Sequence, residues 1–411
     1  MKRVAITGIG AISPLGHDWP TVEARLRSCR NAVQVMPGWS DYEGLQTCVG
    51  APAAPFTLPE ETYNRKTTRS MGRVALMATR ASEVALGDAG LLGDPLVKSG
   101  RMGISYGSSS GTPANMGDFA RMISAKTVEG ITATTYIRMM AHTAPVNIGV
   151  FFGITGRVIT TSSACTSGSQ GIGYAYEAVR AGHQVAMLAG GAEELDATEA
   201  AVFDTLFATS VKHNDSPELT PRPFDADRDG LVLGEGACTF VLEDLDHARA
   251  RGAKIYAEVI GYGTNSDGRH VTHPHADTMA VAMRLALDDA KLAPSAIAYV
   301  NAHGTGTDHG DVAESQATRS IFGERIAISS LKSYMGHTLG ACGALEAWMS
   351  IEMMRAGWFA PTVNLKTLDP RCAALDYITG EGRAMDMDIV MSNNFAFGGI
   401  NTSLIFRRWQ D

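Results

Sequence analysis

The 411-residue chain has little proline and few charged residues, and each shortage excludes a class of protein. Proline numbers 16 and charged residues make up 19% of the chain, against 45% hydrophobic residues, so the composition does not fit long disordered segments. No apolar run approaches the roughly 20 residues that span a bilayer, and the first residues lack the apolar stretch and cleavage site of a signal peptide. We therefore expect a soluble, cytoplasmic, globular protein.

Basic residues are too few for a nucleic-acid-binding protein, and cysteines are too few for a disulfide or structural-metal scaffold. The 35 Lys and Arg residues are outnumbered by 43 Asp and Glu residues, which gives a net charge of -8 and argues against nucleic acid as the main ligand. The 6 cysteines are scattered and form no C-x-x-C pair, so a disulfide or structural-metal scaffold is excluded. A loop with three histidines, His270, His273 and His275, contains a proline and lacks carboxylate partners, so we expect a polar loop there and no bound metal.

Glycine is abundant, with 44 residues, and it falls at the ends of short β-rich runs that lead into helical patterns. This alternation predicts an α/β protein with buried strands. Residues 158–163 and 326–330 are each a strand with a Ser-rich corner, followed by a long helix rich in small residues, which predicts two related halves. We place the boundary after Arg251, giving an N-terminal half of residues 1–251 and a C-terminal half of residues 252–411.

Three strand-to-helix corners carry reactive side chains. Cys165 lies between a strand and a predicted helix N-terminus, where the helix dipole favours the thiolate that attacks carbonyl carbons. His303 and His337 follow two later strands in the same manner, and open α/β sheets bind ligands at such strand ends. A lone cysteine or histidine is more often a packing residue, but three such groups on comparable corners favour an active site.

A fourth corner, residues 391–401, joins a strand to a loop rich in Phe and Gly. Its backbone N–H groups could donate to a developing oxyanion, and its aromatic side chains could gate a pocket.

The segments Ser-Ala-Cys165-Thr-Ser-Gly, Asn-Ala-His303-Gly-Thr-Gly-Thr and Lys332-Ser-Tyr-Met-Gly-His337 together resemble the Cys-His-His β-ketoacyl-acyl carrier protein synthases, and above all the elongating type II enzymes. The resemblance extends over essentially the whole chain. Residues 190–207 are similar to the ketosynthases of aryl polyene pathways.

The resemblance implies a thiolase-like fold in which two pseudo-equivalent halves stack as five layers, α-β-α-β-α. It implies a dimer without a redox cofactor, in which an acyl chain on Cys165 is condensed with malonyl-acyl carrier protein and grows by two carbons. The partner subunit could be a second copy or a chain-length factor. The implied site residues are catalytic Cys165, His303, His337 and Lys332, supporting Glu346, oxyanion or gating Phe395, Phe397 and Gly398, and substrate-binding Phe203, Thr305, Thr307 and Ser110.

Carrier proteins are acidic, so docking requires a local basic patch. Arg65, Arg69 and Arg73 follow helical i, i+4, i+8 spacing with Lys66 beside them, and this run resembles the family's carrier-docking helix. A solvated basic face is the alternative interpretation. The small Ser110, predicted at the far end of the acyl tunnel, suggests an unusual chain preference.

Four other functions fit the residues less well. A non-catalytic chain-length partner typically lacks the cysteine, a biosynthetic thiolase needs a second cysteine in the C-terminal loop, and a Cys-His-Asn starter synthase does not have histidine at the third position. A cysteine hydrolase would use only Cys165 and His303. Ala396 and Ile400 depart from the usual Phe-rich loop, and Met335 departs from the usual residue before the Gly-His pair, so gating is expected to differ.

Overall fold

The computed structural model describes residues 1–410. Its strands are β1 Val4–Ile12, β2 Gln34–Val35, β3 Val49–Ala51, β4 Met102–Gly107, β5 Val158–Thr160, β6 Ala186–Glu193, β7 Leu233–Gly234, β8 Gly236–Asp244, β9 Ala257–Ser266, β10 Tyr299–Asn301, β11 Ala327–Ser329, β12 Trp358–Phe359, β13 Asp376–Tyr377, β14 Arg383–Ala384, β15 Ile389–Ala396 and β16 Ile400–Arg408. Its α-helices are α1 Trp19–Arg27, α2 Arg65–Thr68, α3 Arg73–Asp88, α4 Pro95–Lys98, α5 Ala114–Ala125, α6 Ala133–Met139, α7 Thr143–Phe152, α8 Ser167–Arg180, α9 Ala197–Asp204, α10 Leu245–Ala250, α11 Ala276–Ala290, α12 Asp308–Phe322, α13 Lys332–Met335 and α14 Cys342–Ala356.

Two sets of five strands share one topology. The large sheet has the order β13-β11-β10-β15-β16-β9-β1-β8-β6-β4-β5, so the sequence β9-β16-β15-β10-β11 repeats β1-β8-β6-β4-β5 about the centre. In each set the last two strands named pair in parallel, and the second and third pair antiparallel. The two sets join where β1 pairs with β9 over three residues. The predicted pair of related halves is confirmed.

The helices complete five layers. Helices α8 and α14 contact each other between the two sets of strands, with α8 packed on β6 and α14 on β15. Helix α3 covers the outer face of β1 and β8, and α11 covers β9 and β16. The α-β-α-β-α order of the predicted thiolase-like fold is therefore observed. Among residues 1–410, no helix combines the length and hydropathy that a membrane crossing requires.

The two central helices begin with the same local turn. A 3₁₀ turn, Ala164–Thr166, precedes α8, and a second one, Leu339–Ala341, precedes α14. Each turn starts with a non-glycine residue in the left-handed region, Ala164 at φ 49° and Leu339 at φ 45°. Such a conformation costs about 1–2 kcal/mol, so the surrounding packing must hold both corners in place.

Candidate active site

The corners predicted from the sequence meet in one place. A cavity of about 430 Å³ is lined by Cys165, His303 and His337 together with the Phe-rich loop. Cys165 comes from the turn before α8, His303 from the loop after β10, and His337 from the loop between α13 and the turn before α14. All three side chains are buried, with Cys165 only 4% exposed. Both halves of the fold therefore contribute buried reactive side chains to one pocket.

The two imidazoles lie edge to face beside the thiol. Their ring centroids are 5.0 Å apart at an angle of 89°. His337 Nε2 lies 3.1 Å from Cys165 Sγ, and His337 Nδ1 accepts a hydrogen bond from the backbone N–H of Leu339 at 3.3 Å. Because Nδ1 accepts, the proton of this ring is on Nε2, which points towards the thiol.

Lys332 gives His303 the same tautomer. Its Nζ lies 3.1 Å from His303 Nδ1, and an ammonium group can only donate, so the proton of His303 is also on Nε2. Burial lowers the pKa values of His303 and His337 well below the usual range, and the charge of Lys332 lowers them further. The site therefore presents two neutral imidazoles with Nε2–H donors.

Lys332 is completely buried and forms an ion pair with Glu346, as predicted. Burial is the largest single effect and lowers the pKa of Lys332. The charge and hydrogen bond of Glu346, together with the electrostatic contributions of Cys342 and Glu314, more than offset it, so the net pKa shift is upward and the lysine stays charged. Asn394 Nδ2 donates to the second oxygen of Glu346 at 2.8 Å and lies 3.4 Å from His303 Nδ1. Asn394 was missed at the sequence level, although it lies in the strand that leads into the Phe-rich loop.

Two acidic residues of α12 fix the His303 loop, and both were missed. Glu314 accepts the backbone N–H groups of His303 and Gly304, each at 2.7 Å. Asp311 accepts those of Thr305 and Gly306 at 3.0 and 3.1 Å. Burial raises the pKa of Glu314 to about 8 and that of Asp311 to about 6. Their i, i+3 spacing after a glycine-rich turn was the available signal, since it places both carboxyls on the same helix face.

The expected preference of Cys165 for the thiolate form is wrong for the free protein. Burial raises the pKa of the Cys165 thiol to about 12, and the charge of Lys332 and the backbone N–H of Phe397 lower it only in part. The helix N-terminus is where the sequence placed it, but desolvation of a group 4% exposed has the larger effect. Cys165 is therefore a neutral thiol at pH 7.

The Phe-rich loop is the tight turn between β15 and β16. Phe395 lies beside His303 with ring centroids 6.1 Å apart, and Phe397 lies beside Phe203 at 5.2 Å. Both phenylalanines and Phe203 line the cavity. Gly398 has φ 88°, a conformation that only glycine adopts readily, and its N–H donates to the carbonyl of Val271, a residue that lines the cavity.

The other predicted substrate-binding residues occupy different places. Thr305 and Thr307 line the cavity, with their hydroxyl oxygens 2.9 Å apart. Ser110 is half-buried in the loop after β4 and donates to Glu199 at 2.7 Å. Ser110 does not line the cavity that contains Cys165, as far as the described residues 1–410 define that cavity.

The predicted docking run does not form one helix. Helix α2 ends at Thr68, and α3 begins at Arg73 with Gly72 as its N-cap. Arg65, Lys66 and Arg69 are exposed, whereas Arg73 is bound by Glu235, with Nη2 to Oε2 at 2.7 Å. Three of the four basic residues thus remain available at the surface.

Two groups of side chains have metal-compatible spacing within residues 1–410. The ligand atoms of Cys165, His303 and His337 lie within 4.8 Å of one another, as do those of His303, Cys342 and Glu346. The positively charged ammonium group of Lys332 contacts His303 and Glu346, and its charge disfavours a metal cation at the same place. His270 and His273 lie at the surface with ring centroids 5.0 Å apart.

Comparisons with known proteins agree with the site. The family model for the N-terminal domain of β-ketoacyl synthases matches residues 1–248, and the model for the C-terminal domain matches residues 256–366. The 3-oxoacyl-[acyl-carrier-protein] synthase 1 of Haemophilus influenzae is 36% identical over the full length of both chains. A crystal structure of a β-ketoacyl synthase from Burkholderia phymatum is 61% identical with a TM-score of 0.98, and the ishigamide ketosynthase/chain length factor is 31% identical with a TM-score of 0.88; each covers 100% of both chains.

The chain belongs to the β-ketoacyl synthase family. It is an acyltransferase that carries out the condensation of a ketosynthase, and the non-catalytic alternative is not favoured.

Proposed function

We propose that Cys165 carries the growing acyl chain and that His303 and His337 stabilise the enolate of the incoming malonyl unit. The observation that carries this proposal is the pair of neutral Nε2–H donors beside the Cys165 thiol. A donor pair suits an oxygen on which negative charge develops, and it acts most strongly in a buried pocket.

The first step is thioester exchange. The Cys165 sulfur attacks the carbonyl carbon of an acyl-carrier thioester, and the carrier's thiol leaves with the proton that Cys165 gives up. The backbone N–H of Phe397, which lies within hydrogen-bonding reach of the Cys165 sulfur, and the N–H of Cys165 itself are the donors for the tetrahedral oxyanion. Because Cys165 is a neutral thiol, loss of its proton accompanies attack.

The second step is decarboxylation and condensation. Malonyl-carrier loses carbon dioxide, and the two Nε2–H groups donate to the thioester oxygen that becomes the enolate oxygen. The enolate carbon attacks the acyl carbonyl on Cys165, whose sulfur leaves and takes a proton from water. The product is a 3-oxoacyl-carrier that is longer by two carbons. Thr305 and Thr307 are proposed to hold the pantetheine arm along the cavity.

Lys332 is assigned a positioning role. It fixes the tautomer of His303 and is held by Glu346, which in turn is held by Asn394.

The partners follow from the relatives. The Haemophilus influenzae relative is a synthase for acyl-carrier protein substrates, and we propose acyl- and malonyl-loaded carrier protein as substrates here, docked at Arg65, Lys66 and Arg69. Large apolar side chains of the α5 to α6 region are exposed, Ile123 by 62% and Val128 by 76%, which supports a subunit contact there. That subunit is a second copy or, as in the ishigamide protein, a chain-length factor.

Three finer assignments remain proposals. The halves are taken to divide after residue 251, and the family-model matches on either side support this. A cytoplasmic location is supported by 6 free thiols. The pathway is fatty acid, aryl polyene or other polyketide biosynthesis, with the aryl polyene assignment resting on residues 190–207.

Separate assays of the two half-reactions test the proposed roles. Replacing His303 or His337 with Ala should reduce decarboxylation of malonyl-carrier about 10²–10³-fold, the usual effect of losing one such donor, while acylation of Cys165 is reduced far less. Equal losses of both half-reactions in both variants would contradict the enolate assignment.

A further inference from the structure

A buried carboxyl group beside the active site is only partly bonded. Glu199 lies on α9 and is 8% exposed. Its Oε1 accepts the hydroxyl of Ser110 at 2.7 Å, but its Oε2 is buried without a hydrogen-bond partner. An unbonded buried carboxyl oxygen is costly, so a further polar partner at Oε2 would stabilise this carboxyl group.

The neighbouring carboxylate shows the contrast. Glu193 is completely buried and accepts hydrogen bonds from Ser108 at 2.8 Å and from the backbone N–H groups of Ser109 and Gly340 at 2.7 and 2.9 Å. Both of its oxygens are therefore used within the fold. Ser110 lies between the two carboxyl groups, but of the two glutamates only Glu199 has an oxygen without a hydrogen-bond partner.

Glu199 belongs to the wall behind the nucleophile. Phe203, four residues later on the same helix face, lines the cavity that contains Cys165, and Ala200 packs in the same apolar cluster as Cys165. One helical turn, about 5.4 Å, separates Glu199 from Phe203 along α9. The carboxyl therefore lies one helical turn from the cavity wall, hydrogen-bonded to Ser110, the residue predicted at the far end of the acyl tunnel.

We propose that Glu199 binds a hydroxyl group carried at the far end of the acyl chain on Cys165. This inference rests on the proposed function, because it takes Cys165 as the acyl carrier. A hydroxyl both donates and accepts, so it can pair with Oε2 whether or not the carboxyl is protonated. Burial and the charge of Glu193 raise the pKa of Glu199 well above its usual range, so a partner that suits the neutral acid is required.

The hydroxyl can be an aliphatic alcohol or a phenol, and matched primers distinguish the two. One set compares ω-hydroxyalkanoyl with alkanoyl carrier protein over a graded series of lengths, and the other compares 4-hydroxycinnamoyl with cinnamoyl carrier protein. The measurement is kcat/KM for acylation of Cys165, followed by intact mass. We expect the wild-type enzyme to prefer the hydroxylated member of at least one pair by about tenfold, the effect of one net hydrogen bond.

Two substitutions locate the preference. Glu199→Met, of similar volume, should abolish it and raise acylation by the unsubstituted primer, whereas Glu199→Gln should retain part of it, since an amide also bonds a hydroxyl. Glu381→Met, at an exposed site, should leave the preference unchanged. Acetyl carrier protein, too short to reach Glu199, is the reference primer, and circular dichroism with a urea unfolding curve verifies that Glu199→Met is folded.

The outcomes distinguish failure of the Glu199 inference from failure of the proposed function. Equal wild-type rates within every pair overturn the inference, as does a preference that survives unchanged in Glu199→Met. If no primer acylates Cys165, acetyl included, it is the proposed function that fails. If Glu199→Met does not fold, the wild-type comparison together with Glu199→Gln still decides.

Discussion

Removing the buried charge of Lys332 should have separable effects on stability and on catalysis. In Lys332→Met the carboxylate of Glu346 stays buried, with a side chain 0% exposed, and loses its ion pair. Breaking a buried pair from one side typically costs about 3–5 kcal/mol of unfolding free energy. His303 also loses the donor that holds its proton on Nε2, so we expect decarboxylation of malonyl-carrier to fall by about 10²-fold.

A double substitution distinguishes these effects. In Lys332→Met with Glu346→Gln neither side chain is charged, and the glutamine can still bond Asn394. Because uncharged replacements of a buried pair are often close to neutral, most of the lost stability should return. Decarboxylation should stay low, since the charged donor at 3.1 Å from His303 Nδ1 is gone and only the longer, neutral contact from Asn394 Nδ2 at 3.4 Å is left.

The assays are urea unfolding and carbon dioxide release from malonyl-carrier. Lys254→Met, which breaks an exposed pair with Asp88, is the matched control and should change stability by at most about 1 kcal/mol. Recovery of decarboxylation in the double variant would refute the positioning role of Lys332 and leave it a purely structural residue.

Three further predictions concern pH, docking and the His303 loop. The pKa values of His303 and His337 are lowered in the folded protein, so below about pH 6.5 the unfolded chain binds more protons. As the pH falls through this range, each histidine should lower the unfolding free energy by up to about 1.4 kcal/mol per pH unit. The measurement is the slope of unfolding free energy against pH, compared between wild type and a variant that lacks one of the two histidines. Arg65→Glu with Arg69→Glu should raise KM for acyl carrier protein several-fold and weaken its salt dependence, while a small acyl thioester reacts normally. Glu314→Gln should lower unfolding free energy by about 1–3 kcal/mol, because an amide nitrogen cannot accept the N–H of Gly304.

Each of these has a control and a contradicting result. An unchanged slope in the histidine variant would show that the ring does not titrate below pH 6.5 as argued. Arg284→Glu with Lys291→Glu, an equal charge change on exposed residues elsewhere, should not alter KM, and identical kinetics in both double variants would move the docking surface. Glu324→Gln at an exposed position should leave the unfolding free energy nearly unchanged. An equally small effect of Glu314→Gln would contradict the role of Glu314 in holding the His303 loop.

The reactive corners were predictable because each follows a strand in the sequence. Cys165 and His303 lie shortly after β5 and β10, and His337 follows β11 after the short helix α13. Strands that share a sheet bring such corners together. The repeat of strand, Ser-rich corner and small-residue helix likewise predicted the two halves, since α8 and α14 are its two helices.

Interactions between distant elements could not be predicted in the same way. Glu314 acts through the backbone of a loop about ten residues away, and Asn394 acts through its meeting with Glu346 on α14, which only the packing reveals. The spacing of Arg65, Arg69 and Arg73 suggested one helix, but the chain leaves the helical conformation between Thr68 and Arg73. The pKa of Cys165 was misjudged because helix position is readable from sequence whereas depth of burial is not.

The central claim is that Cys165 carries the acyl group and that the chain then grows by two carbons. The most direct test is intact mass spectrometry of the enzyme with acyl carrier protein, before and after malonyl-carrier is added. We predict one acyl mass located at Cys165 by peptide mapping, its loss on addition of malonyl-carrier, and a 3-oxoacyl product two carbons longer; Cys165→Ala should show none of these. An acyl mass at another residue, or chain elongation by Cys165→Ala, would contradict the account.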